Sequence, residues 1–132
     1  MLTLIAIPSL IAYPRFEVRN EGLTLTLLNL AGVIEGGEPK EVILTSLITL
    51  RNKLLLSFRE QEALMKDMSY AEATRHRRAH NKLIGEILRF IQAYDENRII
   101  ISEYAVKMLN DFIVAHVEEH DKPLADYLAK LG

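Results

Sequence analysis

Apolar residues recur at alternating steps of four and three along four successive stretches of this 132-residue chain, the spacing of α-helices that each bury one face. The first stripe is Phe16, Asn20, Leu23, Leu27, Leu30 and Ile34, and Gly36-Gly37 stops it. The second is Ile43, Leu47, Leu50, Leu54, Ser57, Gln61 and Leu64, with Pro39 where a first-turn proline is tolerated. Ser69 with Glu72 reads as a capping box before the third stripe of His76, His80, Leu83, Ile87, Phe90, Ile91 and Tyr94, which Asp95-Glu96-Asn97 breaks. Ser102 caps a fourth, made of Ala105, Met108 or Leu109, Phe112, Ile113 and His116; Pro123 then ends regular bonding, and LADYLAKL adds a short helical tail. The β-branched runs VILTSLITL and RIIIS are short, and the first fits the helical seam better. The pattern predicts an all-α fold: an up-down-up-down four-helix bundle over residues 1–132 as one domain, with an irregular N-terminal arm.

That arm, MLTLIAIPSLIAYP, lacks the basic start of a signal peptide, and its prolines at 8 and 14 interrupt it well short of a membrane span. The expected protein is cytoplasmic, with no membrane partner. A net charge of −2 argues against a dedicated nucleic-acid binder. Arg75, Arg77 and Arg78 read as a solvated outer helix face. The chain has four histidines and no cysteine, so a transition-metal site would have to use imidazole, carboxylate and amide or hydroxyl oxygen.

Polar residues interrupt the stripes at particular places. Asn20 lies near the start of the first helix and Ser57 and Gln61 near the end of the second. His76 and His80 lie near the start of the third, and His116 near the end of the fourth. In alternating topology all six fall at one end of the bundle and face inward. Such a layer is costly unless its members are bonded, and a metal ion is one way to bond it. His76 and His80, four residues apart, share a helical face, so both rings can reach one ion. His120 and Asp121 are the further candidates near His116. On a straight helix His120 shares its face and Asp121 is turned about 140° away. Pro123 should loosen the helix near residues 119–122, letting Asp121 swing inward.

HxxxH followed by HVEEHDKPLADYL resembles hemerythrin, and specifically the small bacterial hemerythrins. SFREQEALM (residues 57–65) matches that family's His-Phe-x-x-Glu-Glu-x-x-Met, Tyr70 its Tyr-Pro, Phe112-Ile113 its Trp-Leu, and FEVRN its Ile-Asp-x-x-His. The resemblance implies a di-iron centre that binds O2 reversibly through five histidines and two bridging carboxylates. Residue by residue, it assigns His76, His80 and His116 to one iron and Asp121 to one bridge. The other iron's histidine positions hold Asn20 and Ser57, and the second bridge position holds Gln61. Neutral amide and hydroxyl oxygens are weak iron ligands and supply no charge for a second cation.

The expectation is therefore a divergent, non-enzymatic metal-binding protein. It keeps a three-His plus Asp half-site with one iron rather than two, zinc or another divalent metal also fitting, and binds or senses a small ligand such as O2 or NO. The alternative is a metal-free structural or interaction domain in which the same residues form a hydrogen-bonded polar layer. Mononuclear metal catalysis is a third reading, for which no general base is evident. Leu23, Phe58, Phe112 and Ile113 are candidate apolar lining of a ligand pocket, or plain core. Glu21 and Glu60 flank the altered positions but are turned about 100° from them. His120 reads as exposed or as a residue orienting Asp121. The sequence does not give the oligomeric state.

Overall fold

In a computed structural model describing residues 4–131, the chain forms α1 (Pro14–Glu35), α2 (Lys40–Asp67), α3 (Ala73–Asp95) and α4 (Glu103–His116). A π-helical turn (Val117–Asp121) then leads directly into α5 (Lys122–Leu131). No strand occurs among the described residues. The first three residues of the expected arm, and Gly132, lie outside them.

Cross-helix contacts fix the directions. Arg19 near the start of α1 donates to Glu60 near the end of α2 at 3.1 Å, while Asn29 near the end of α1 meets Ser46 near the start of α2 at 3.2 Å. Lys40 at the start of α2 donates to the Asp95 carbonyl and to Asn97 at the end of α3. His76 at the start of α3 meets Asp121 just past α4. Each helix thus runs antiparallel to the one before it, and α1 packs against α4 to close the bundle.

The stripes become the core. Phe16, Leu23, Leu27 and Leu30 of α1 are buried against Ile43, Leu47, Leu50 and Leu54 of α2, Leu83 and Ile87 of α3, and Leu109 and Ile113 of α4. Each such side chain contributes about 1.5–3 kcal/mol relative to exposure. The non-helical arm is tied down as well. Leu10 is buried, its amide and the Ser9 hydroxyl donate to Glu17, and Asn110 of α4 donates to the Ile5 carbonyl at 2.8 Å.

Four local expectations change. The seam of α4 runs through Val106, Leu109, Asn110 and Ile113, whereas Met108 and Phe112 are turned outward. Apolar residues stand on both flanks of that helix, so its sequence leaves the phase open by about 100°. At the end of α2, Met65 rather than Leu64 takes the buried position. Ser69 does not cap α3: its φ is 51°, the chain turns through Tyr70–Glu72, and Glu72 stands at the cap position. Pro123 does not end regular bonding either. The Lys122 amide donates to the Val117 carbonyl, an i→i−5 bond, and the helix continues as α5. A proline ring crowds the carbonyl four residues back, and widening the preceding turn relieves that crowding without stopping the helix.

Candidate metal centre

Where α1 and α3 begin and α2 and α4 end, all six polar residues of the seam are buried: Asn20, Ser57, Gln61, His76, His80 and His116. Asp121 joins them at 3% exposure because the π turn carries it inward. With i→i+5 bonding, the residue five positions on lies over the first, as the fourth does in an α-helix. Asp121 therefore sits above His116. His120 stays beside the cluster, its ring 5.4 Å from that of His76 and 5.2 Å from that of His116, with Nε2 turned towards Glu119 at 3.7 Å.

One ligand atom from each of His76, His80, His116 and Asp121 lies within 4.8 Å of all the others. His76 Nε2 is 2.9 Å from Asp121 Oδ1, and His116 Nε2 is 3.1 Å from the same oxygen but not aligned to donate to it. Burial alone would raise the Asp121 carboxyl, but the His116 and His76 rings against it reverse the sign and hold it well below the usual carboxylate range. His80 is pushed from 6.5 down to about 2, by burial first and then by the neighbouring His76 and His116. It is therefore neutral at ordinary pH and carries a single ring N–H.

That single N–H exposes a conflict. His80 Nδ1 lies 2.8 Å from Glu62 Oε2 and must donate to it, so Nε2 presents a lone pair. Yet Nε2 faces Gln61 Oε1 at 2.9 Å. Either a cation lies against these atoms, or the amide is reversed so that its N–H donates to the ring. Unsatisfied atoms also remain: His76 Nδ1, His116 Nε2 and Asn20 Nδ2 are buried without a hydrogen-bond partner. Three imidazoles and one buried carboxylate with their ligand atoms gathered in a small volume fit a single divalent cation in both number and type.

Phe58 lies flat on His80, with ring centroids 3.8 Å apart and planes 10° apart, and 5.1 Å from His116. Leu23 and Ile113 are core residues nearby in register. Phe112 parts from these three: 38% exposed, it lines an open cleft of about 320 Å³ between α3 and α4, with Leu83, Ala115 and His116 at its wall. The candidate lining is thus divided between core and cleft, because Ile113, one position on, takes the seam. Glu60 is turned to Arg19 and Arg15, and Glu21 is exposed, so neither reaches the centre.

The chain is 28% identical over 112 residues to bacteriohemerythrins of Campylobacter jejuni subsp. jejuni, from serotype O:23/36, O:6 and O:2 strains. The alignment covers 85% of this chain and 78% of each relative. The chain is hemerythrin-like. No family model matches it, and neither does any solved structure. In this hemerythrin-like bundle the imidazole and carboxylate donors come from α3, α4 and the π turn, while α1 and α2 bring only neutral Asn20, Ser57 and Gln61 to the same layer. No helix among the described residues is long and apolar enough to cross a membrane.

Sequence reasoning passed over one residue that touches the centre, Glu62. It lies one position off the α2 seam, where spacing alone marks a flank. Its only signal was its place as the second acidic position of the 57–65 motif.

Proposed function

We propose that the protein is a metal-binding, hemerythrin-like protein that holds one divalent ion, iron first and zinc as the other fitting ion, through His76, His80, His116 and Asp121. The observation that carries this reading is the convergence of those four buried ligand atoms within 4.8 Å. A second ion is disfavoured by charge. Three neutral imidazoles and one carboxylate leave a divalent ion at +1, and Asn20, Ser57 and Gln61 have no charge to offer another. Reversible O2 carriage by an iron pair is then outside the protein's reach, and the function is to bind or sense a small ligand such as O2 or NO in the cytoplasm. An open coordination position on the ion would provide the binding point. The surrounding residues hold the donors, exclude bulk water and stack Phe58 over His80. Binding rather than catalysis is favoured because the layer's one carboxylate lies against two histidine rings.

Metal content after chelator-free purification, followed by titration with Fe(II) under argon and with Zn(II), tests the reading. About one equivalent is expected for the unaltered chain, essentially none for His116→Ala, and an unchanged value for Ser57→Ala. Equal, negligible metal in all three, with no rise in melting temperature on adding either ion, would establish the metal-free polar layer instead.

A further inference from the structure

We propose that Glu62 is a positioning residue of the centre: it selects which edge of the His80 ring faces the ion, and so presents Nε2. The inference rests on the metal-binding reading above and adds a residue to it. Phe58 holds the plane of the His80 ring by stacking at 3.8 Å, but a flat stack is indifferent to a half-turn of the ring within that plane. Such a half-turn exchanges Nδ1 with Cδ2 and Nε2 with Cε1, which would point carbon at the ion. The 2.8 Å contact between Nδ1 and Glu62 Oε2 removes that ambiguity, because only a ring with Nδ1–H on the Glu62 side satisfies it. Carboxylate partners on the outer nitrogen of a ligating histidine fix tautomer and orientation and raise the basicity of the inner nitrogen.

The placement of Glu62 suits this task. Its side chain is 34% exposed against 2% for His80, so the carboxylate reaches in from the solvent edge without the full cost of burying a charge. It lines an open cleft of about 490 Å³ together with Lys66 and Arg77, yet its Oε2 is directed at His80. His76 supplies the internal contrast: its outer nitrogen, Nδ1, is buried with no partner. Glu62 also brings the negative charge that makes a divalent ion with three imidazoles and Asp121 neutral as a whole.

The test compares the full chain with Glu62→Ala and Glu62→Gln, using Zn(II) affinity by competition titration and the ring ¹⁵N shifts of His80 in the metal-free protein. Glu62→Ala is expected to weaken zinc by about 10–100-fold and to move the His80 proton off Nδ1. Glu62→Gln, whose amide oxygen still accepts from Nδ1–H, is expected to keep the tautomer and recover part of the affinity. If the unaltered chain binds zinc and Glu62→Ala binds it equally with the tautomer unchanged, the positioning role is overturned, even if the variant melts lower. If the unaltered chain binds no zinc, the metal reading fails, and a tautomer shift in Glu62→Ala would leave Glu62 as a support of the ring only.

Discussion

The two halves of the polar layer use the same scaffold to opposite ends. On the α3–α4 side, three imidazoles and a carboxylate are crowded together, with one ligand atom of each within 4.8 Å of the others. On the α1–α2 side, residues at equivalent depth are neutral, and the Nδ2 of Asn20 is left without a partner. Both halves are helix ends with side chains facing inward, and the backbone departs from regular spacing where the π turn carries Asp121 into the layer. The difference lies in charge and in lone-pair chemistry, which decide whether a buried polar layer can be satisfied by an ion or only by its own hydrogen bonds.

The comparison is broken most directly by giving the second half the donors of the first. The combined substitutions Asn20→His, Ser57→His and Gln61→Glu are expected to raise bound iron from about one to about two per chain, measured by elemental analysis against protein concentration. A value that stays at one would mean that something other than the donors separates the halves.

A smaller effect follows from acid. His80 titrates at about 2 in the folded protein against 6.5 as its ordinary value, so the unfolded chain takes up a proton that the native metal-free protein refuses. Stability is then full above pH 6.5 and is lost progressively as pH falls from 6.5 towards 2, by about 1.4 kcal/mol per unit for this group. Asp121, also held below its ordinary value, acts in the same sense at lower pH. Urea midpoints of the metal-free protein at pH 7 and pH 5 should differ by an amount equivalent to about 2 kcal/mol. His80→Gln should remove most of that slope, whereas Asn20→Leu in the other half should leave it.

The smallest expected change is a gain. Asn20→Leu removes a buried, unpartnered amide and substitutes apolar volume, which should stabilise the protein by about 1 kcal/mol in urea unfolding. A loss of stability would show that Asn20 is bonded in solution and that the second half is less idle than its partners suggest.

The helices and most of their inward residues were legible because stripes such as Leu47, Leu50, Leu54 and Ser57 repeat at alternating steps of three and four, although Met65 displaced Leu64 at the end of α2. The phase of α4 was not, since Met108, Leu109, Phe112 and Ile113 present apolar groups on two adjoining faces, and packing against α1 and α3 chose between them. Ser69 carried the composition of a cap, but its local conformation follows the turn that closes α2 rather than the helix that comes later. The inward swing of Asp121 could be read from Pro123. That a widened turn would achieve it without ending the helix could not, because the gain comes from packing Leu124 and Leu128 beyond it. Glu62 stayed hidden for a different reason: periodicity reports which residues a helix buries, and Glu62 acts from the solvent edge.

The π turn has a consequence for how this chain tolerates change. It is a slip of one residue inside an otherwise continuous helix, and everything after it inherits that offset. Asp121 on the inner face and the apolar face of Leu124, Ala125 and Leu128 are set by the same slip. Regularising the backbone would rotate both by about 100° at once, withdrawing the carboxylate and peeling the tail from the bundle. Local frustration and tail docking are thus locked in phase. The segment between His116 and Leu124 can accept substitutions, but it has almost no freedom in length.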